Sequence, residues 1–555
     1  MRWGVGIVAT ILVSGCASSS SPASDEPVCY EARIDELLKL RPDDPDLLFL
    51  RHDHMDLARC SRLADLRPTP VVLASVVSRY LSAGLERVNL PSFERHIATL
   101  LERDPDNAMP LILQSQIQIS RGNLSGGIET IVRASRLPAL RVYSLEAQQE
   151  ALRIRKKEGL DDVVNLGEVT GRGNYRICCV LGNAALLLRT MGTWRLLQGD
   201  RGEAIRLAEA DDRLAGLMNP DAMALSDGMM LNALPPLAAE RLCELALMNG
   251  DSEGASRYAV RARAAWIVRE TRTFAILRDV ESDPGVKLMR KLTVWDSMNE
   301  VQDSEDAGEI LMAFVRDIVT SANAWKKQKP VFDDMMRKNE AVIRPRLEAQ
   351  IARGAIPVAL EGLSEEDRRS LDSRKAPVDY LVELRDVFYP RVYGPEHRER
   401  LVALLTPEGA FEDPRRYLHE KAANALAHHV DRAALPALRR RVHKDYRDYD
   451  VTRVAAVMVA LGEKDDRVIK DLRVRLSPRF PEACWAAARL RLVDCIPDLV
   501  KSVWVYQRPK FMNQGFAEPV TAYLALQSLT GQPFGFDGRR WREWARKEGY
   551  LKSDD

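Results

Sequence analysis

Small or apolar side chains recur at steps of three and four after three glycine turns in the first half of the chain. The turns are Gly122-Asn123, Gly199-Asp200 and Gly250-Asp251, and the last one is followed by Ala255 and Ala259. Asn and Asp are favoured at the start of a helix, and small residues on one helical face let a neighbouring helix approach closely. The pattern therefore predicts hairpins of two helices joined by short turns.

These hairpins resemble the tetratricopeptide repeat, a helix-turn-helix unit of about 34 residues. Segments 40–45 and 102–107 are similar to the turns between such repeats, whereas the intervals between the three glycine turns are irregular. The large aromatic residue that is usual early in the first helix is absent. The resemblance implies a helical array of degenerate, tetratricopeptide-like repeats over residues 29–283.

A second pattern occupies the last third of the chain. Paired alanines at 422–423, 455–456 and 486–487 recur at intervals of roughly 32 residues. Residues 450–462 resemble the short HEAT-like repeat, in which paired alanines let helices stack closely. The resemblance implies a HEAT-like array over 411–555. It also implies that the aromatic residues at its end cap the last helix face; they are Phe534, Phe536, Trp541 and Trp544.

The segment between the arrays, residues 284–410, is rich in charge and predicts a helical connector. No convincing strand pattern occurs in the chain. The predicted fold class is therefore all-α, as a helical-repeat solenoid in which a tetratricopeptide-like array is followed by a HEAT-like array.

The N-terminus combines one basic residue, an apolar run over 5–13 and small residues before Cys16. This order is typical of a secretory signal, and the run is too short to span a bilayer. Residues 12–16 resemble the lipobox of bacterial lipoproteins, in which the signal is cut before a cysteine that carries diacylglycerol. The resemblance implies a signal peptide over 1–15 and lipidation of Cys16. An ordinary signal peptide with a chance cysteine is the alternative.

A serine-rich segment follows the lipobox. Residues 16–28 form a flexible tether between the predicted anchor and the first array. Ala17 stands where lipoproteins retained in the inner membrane have Asp, so the resemblance favours the outer membrane of a bacterial cell envelope.

Composition narrows the classes of partner. The 555 residues include 81 basic and 80 acidic side chains, and 46% are hydrophobic. These values are typical of globular proteins and exclude a mostly disordered or polytopic membrane chain. A net charge of +1 lacks the broad basic surface of a dedicated nucleic-acid binder, so no nucleic-acid partner is expected. The oligomeric state stays open.

The chain contains eight cysteines. If Cys16 carries lipid, the number that remains is odd and not all can pair. Two pairs flank predicted hairpins and could form disulfides; they are Cys29 with Cys60 and Cys484 with Cys495. Buried thiols that act as small apolar groups are the alternative. That alternative is slightly favoured for the other three, which are Cys178, Cys179 and Cys243.

Several catalytic motifs are matched only in part. Residues 250–254 fit the G-x-S-x-G nucleophile elbow, which requires a preceding strand where a helix is expected here. His419-Glu420 lacks the second histidine of a zinc protease. This single pair also falls short of the four His-Glu pairs that hold two irons in the HEAT-like deoxyhypusine hydroxylase. No Gly-Lys pair exists, which excludes a P-loop.

Three more histidines, His428, His429 and His443, could bind a metal. A solvated or helix-capping role is favoured for them, because their spacing matches no metal motif. We therefore predict no catalytic, cofactor or metal residue.

The predicted function is a non-enzymatic, lipid-anchored scaffold of the cell envelope that binds protein or peptide partners through its repeat surfaces. Two alternatives remain. One is a cell-wall enzyme built as a helical ring, as in lytic transglycosylases, although no lysozyme-like segment is apparent. The other is a structural subunit of an envelope assembly.

Overall fold

The computed structural model describes residues 30–51, 56–83, 90–160, 175–217, 234–282, 376–404, 416–442, 457–459, 461–463, 481–505 and 517–552. In these ranges the regular secondary structure is helical, and Asn107 and Ala139 form an isolated β-bridge. The predicted all-α class is confirmed. Among the helices described, none is long and apolar enough to cross a membrane.

Within the described residues between 30 and 282, the first array contains helices α1–α12. They are α1 (Tyr30–Leu40), α2 (Pro45–Arg51), α3 (Leu57–Leu66), α4 (Pro70–Ala83), α5 (Leu90–Arg103), α6 (Ala108–Ser120), α7 (Leu124–Ala134), α8 (Ser144–Glu158), α9 (Tyr175–Leu197), α10 (Arg201–Leu217), α11 (Leu234–Met248) and α12 (Ser252–Ser282). Neighbours in sequence pack as pairs, for example α6 with α7, α9 with α10 and α11 with α12.

The described part of the predicted connector, 376–404, contains three short helices, which are α13 (Pro377–Glu383), α14 (Arg385–Phe388) and α15 (Pro395–Leu404). Where the structure describes the second array, it contains helices α16–α21 and two 3-10 turns, at Arg432–Ala434 and Val493–Cys495. Its helices are α16 (Arg416–His428), α17 (Leu435–Val442), α18 (Pro481–Arg489), α19 (Ile496–Val505), α20 (Ala517–Thr530) and α21 (Gly538–Lys547).

The three glycine turns predicted from the sequence share one geometry. Gly122, Gly199 and Gly250 have φ of 85°, 85° and 74°, the left-handed conformation that ends a helix. The next residue then begins the following helix. The side chain of Asn123 accepts from the backbone N of Gly126 at 2.9 Å, and that of Asp251 accepts from Gly254 at 2.8 Å. Each Gly-Asn or Gly-Asp pair thus closes one helix and opens the next.

Helix α9 of the first array contacts helices of both arrays. It packs against α4 and α6 of the first array and against α18 and α20 of the second. The buried residues of α9 include Leu181, Leu187 and Leu188, none of which is exposed. The face on which α4 and α6 meet α9 is therefore covered by α9, and the second array packs on α9 in turn.

Paired alanines in the second array lie where helices meet. Ala422 of α16 and Ala486 and Ala487 of α18 are fully buried. Small side chains at these positions allow the close packing of helices that the sequence pattern indicates. The predicted middle pair, at 455–456, lies outside the described residues.

Aromatic side chains close the end of the second array. Trp541 of α21 is fully buried, and its ring lies 5.0 Å from that of Phe534 and 5.8 Å from that of Trp544 between centroids. The indole N of Trp541 donates to the carbonyl of Gly535 at 2.8 Å. This bond fixes the turn before α21. The same turn packs against the first array, since a Cβ added at Gly535 would lie 2.7 Å from the Cα of Gly122.

Candidate functional site

The G-x-S-x-G match falls on the turn between α11 and α12. Gly250 follows a helix, Asp251 caps the next one, and Ser252 is its exposed first residue. A nucleophile elbow needs a strand before it to present the serine on a strained turn. The structure places a helix there, so the motif serves as a repeat turn.

Cys484 and Cys495, the pair that could form a disulfide, are both fully buried, the first in α18 and the second in the 3-10 turn that precedes α19. Their pairing stays a prediction. Cys60 is also a buried thiol, and its predicted partner Cys29 lies outside the described residues, as does the predicted lipid-bearing Cys16.

Cys178 and Cys243 are buried thiols, as the sequence indicates. Burial, together with the neighbouring Glu240 and Glu244, raises the pKa of Cys243 to about 12. A thiol with such a pKa stays protonated at neutral pH and is a poor nucleophile. The side chain of Cys179 lies outside the described part of the chain.

Two of the predicted histidines end α16 and face aromatic rings of the connector. Nδ1 of His428 accepts from the guanidinium of Arg201 at 3.2 Å, and its ring meets the edge of Tyr389. Nε2 of His429 donates to the carbonyl of Phe388 at 2.8 Å, and its ring stacks on Tyr393 at 4.1 Å. His443 and the side chain of His419 lie outside the described residues.

The contacts assign protonation states to both histidines. An Arg guanidinium only donates, so Nδ1 of His428 carries no proton, and a carbonyl only accepts, so Nε2 of His429 carries one. Burial, together with the charges of Arg201 and His429, lowers the pKa of His428 to about 4. Burial also lowers the pKa of His429. In the part of the chain that the structure covers, no three metal-binding side chains converge, and these two rings hold helix ends together.

In the described part of the chain, a cluster of buried charged residues joins the two arrays, and we call it the junction cluster. Glu244 of α11 is fully buried, and Lys421 of α16 is 3% exposed. Nζ of Lys421 donates to Oε2 of Glu244 at 2.6 Å and lies 3.2 Å from Oε1 of Glu240. Nδ2 of Asn424 donates to the other oxygen of Glu244 at 3.1 Å.

Two further donors complete the shell around Glu244. Arg241 donates to its Oε2 at 3.1 Å, and the hydroxyl of Tyr389 lies 3.4 Å from its Oε1. Burial alone would raise the pKa of Glu244, but Lys421 and Arg241 together hold it at about 2. The carboxylate therefore stays ionised at neutral pH and has no proton to give, so its chemistry is that of a structural ion pair.

This cluster was not predicted from the sequence. Glu240 and Glu244 are one helical turn apart in a helix that is otherwise almost wholly apolar, and this is the one signal available beforehand. Their partner Lys421 stands 177 residues from Glu244. No protein family, curated protein or solved structure matches this chain, so the role of the cluster is inferred from its contacts.

Proposed function

We propose that this protein is a lipid-anchored scaffold of a bacterial cell envelope that binds a protein or peptide partner on the surfaces of its helical arrays. The junction cluster is the observation that carries the proposal. Its buried charges are satisfied by one another and fix α11 of the first array against α16 of the second. A scaffold needs such fixed placement, because binding surfaces that are already positioned lose less freedom on binding.

The proposed anchor rests on Cys16 and its surroundings. A cysteine carrying diacylglycerol has two acyl chains, which exceeds the single chain that gives only marginal membrane binding. The tether of about 13 residues has a root-mean-square reach of roughly 20 Å. The first helix, which begins at Tyr30, would therefore stay close to the membrane surface.

The anchor is tested by comparing the parent with Cys16→Ser in a bacterial host. We expect the parent to carry diacylglycerol on the residue at position 16 by mass spectrometry and to sediment with membranes. The Cys16→Ser variant should lose both properties, whereas Ser18→Ala, which leaves the lipobox intact, should keep them. An unmodified parent that fractionates as a soluble protein would contradict the proposal.

The scaffold function is tested by photo-crosslinking from exposed positions in cells. Val260 on α12 and Val392 before α15 are 71% and 81% exposed, so a crosslinker there should not disturb the core. We expect at least one position to capture the same protein or peptide in repeated experiments. Digestion of peptidoglycan by the purified protein would instead support the cell-wall enzyme. Stoichiometric recovery in a large particle would support a structural subunit.

A further inference from the structure

Helix α21 concentrates positive charge at the end of the second array. Its ten residues include five basic side chains and one acidic one, while the whole chain has a net charge of +1. Trp541 and Ala545 are fully buried. The opposite face of the helix is exposed; its basic residues are Arg539, Arg540, Arg546 and Lys547.

Little of this charge is neutralised by neighbours. Asp537 lies 3.4 Å from the Nε of Arg540, and Glu543 shares the exposed face. Within the described ranges, Arg539, Arg546 and Lys547 form no ion pair, and Tyr550, which is 37% exposed, lies one turn beyond Arg546. Glu548 follows the helix, and Asp554 and Asp555 lie outside the described residues.

The direction of the helices places α21 near the edge from which the tether leaves. The end of α6 pairs with the start of α5 through Arg121 and Glu94, and the end of α2 pairs with α1 through Arg51 and Asp35. Sequential helices of these hairpins are therefore antiparallel, so the starts of α1, α5 and α7 share one edge of the array. The turn before α21 contacts that edge, where Gly535 meets Gly122.

We propose that the exposed basic face of α21 contacts anionic phospholipid headgroups as a second, electrostatic attachment to the membrane. This proposal rests on the proposed anchor at Cys16, which would hold this edge near the bilayer. Each basic side chain close to an anionic membrane strengthens binding about fivefold. Because the apolar face of α21 is buried in the core, the contact is at headgroup level and requires no insertion.

Vesicle sedimentation of a chain without the lipid isolates this contact. The probe is the mature chain from residue 16 with Cys16→Ser, mixed with vesicles of phosphatidylglycerol or of phosphatidylcholine. We expect the chain to bind the anionic vesicles and not the phosphatidylcholine vesicles. This binding should be lost in about 0.5 M salt, because salt screens electrostatic attraction. The triple variant Arg539→Glu/Arg546→Glu/Lys547→Glu should bind at least about 100-fold more weakly.

A matched triple reversal on the opposite edge serves as the control. Lys39→Glu/Arg103→Glu/Arg136→Glu makes the same change of charge at exposed positions near the ends of α1, α5 and α7. It should retain most of the binding, and thermal melting should show both variants folded. Equal loss in both variants, or equal binding to phosphatidylcholine, would overturn the proposal. The proposal would also be overturned if the α21 variant bound vesicles as the parent does but no longer bound an acidic protein partner.

The anchor and the basic surface can fail independently. If Cys16 proves unmodified while α21 still mediates binding to anionic vesicles, the anchor fails and the surface proposal stands. If Cys16 carries lipid but vesicle binding does not depend on α21, the surface proposal fails and the anchor stands.

Discussion

The two arrays end their helices with the same backbone turn but place different residues in it. At the helix ends of the first array the residue with positive φ is a glycine, and three of these are Gly122, Gly199 and Gly250. In the second array the equivalent residues have φ of 52°, 92° and 55° and are Val430, Gly462 and Arg491. In all six turns the next backbone N–H bonds a carbonyl five residues earlier, as from Asp251 to Ala246 at 2.9 Å.

At these helix ends the second array tolerates strain that the glycine turns of the first avoid, although Tyr143 of the first array, just before α8, also has a positive φ of 57°. A left-handed conformation costs a residue with a Cβ about 1–2 kcal/mol, and it is most unusual for a β-branched residue such as valine. Asp431 and the 3-10 turn after it hold Val430 in place, since the carboxylate of Asp431 binds Tyr393 and Arg398 at 2.7 and 2.6 Å. Contacts made elsewhere thus compensate for the turn.

Buried charges find partners both within an array and across the junction. Asp211 of the first array pairs with Arg189 of the same array at 2.6 Å, and Glu463 of the second pairs with Arg439 of the same array. Lys421 of the second array pairs with Glu240 and Glu244 of the first. Each array therefore depends on the other for buried charge at the junction.

Removal of Lys421 should give the largest effect. Lys421→Met leaves Glu244 fully buried without its closest cation, and losing one member of a buried ion pair costs about 3–5 kcal/mol. We expect a fall of that size in the free energy of unfolding, measured by urea denaturation of the full chain.

A double variant tests whether the loss comes from the stranded charge. Glu244→Gln/Lys421→Met removes both charges of the pair, so it should be more stable than Lys421→Met alone. If the losses measured for Glu244→Gln and for Lys421→Met alone add up in the double variant, the two residues are not coupled. The junction would then not depend on their charges.

Gly535→Ala should have the next largest effect. A Cβ there would lie 2.7 Å from the Cα of Gly122, and the residue has φ of 58°. The clash falls on backbone that cannot rotate away, so we expect a loss of about 2–3 kcal/mol in unfolding free energy.

Gly531→Ala separates the clash from the backbone conformation. Gly531 has φ of 72°, and nothing lies within 4 Å of a Cβ built on it. This substitution should cost only about 1 kcal/mol, from the left-handed conformation alone. Equal losses at the two positions would mean that the contact between Gly535 and Gly122 is not close in solution.

The sequence predicted the turns of the first array because their chemistry is local. Glycine at the left-handed position and Asn or Asp at the helix start are both visible in the sequence, as at Gly199-Asp200. The turns at Val430 and Arg491 carry no such signal, because surrounding contacts rather than the residue itself impose the conformation. The paired alanines predicted where helices of the second array pack closely, but not the residues at which those helices begin and end.

The junction between the arrays could not be predicted from the sequence. Lys421 and Glu244 are distant in the chain, and a hydropathy pattern tells which face of a helix is buried but not which helix covers it.

Acid should weaken the contact between Arg201 and His428. The pKa of His428 is about 4 in the folded chain, below the 6.5 of an unperturbed histidine, so the unfolded chain binds this proton more readily. Stability should therefore fall as the pH is lowered from 6.5 to about 4 and level off below that. Allowing for partial exposure, we expect a loss of about 1–2 kcal/mol by urea denaturation across this range.

His428→Gln serves as the control because it does not titrate and its amide oxygen can still accept from Arg201. The variant should lose less stability than the parent over the same range, and the slope that remains includes His429, whose pKa is also lowered. An unchanged slope would show that the ring of His428 is open to protons in the folded state.

Val430→Gly should have the smallest effect, and this effect should be an increase in stability. Val430 is 60% exposed, so truncation removes little packing, and glycine relieves a left-handed cost of about 1–2 kcal/mol. Glycine also loses more chain entropy on folding than valine does, and this offsets roughly 0.5–1 kcal/mol of that relief. We expect a net gain of about 0.5 kcal/mol or slightly more in the free energy of unfolding.

Val392→Gly provides the matched control for this gain. Val392 is 81% exposed and is not among the residues with positive φ, so its replacement has the entropic cost without the relief. It should lower the free energy of unfolding by about 0.5–1 kcal/mol. If both variants are destabilised alike, the turn at Val430 is not strained, and the two arrays would differ in sequence at these turns without differing in energy.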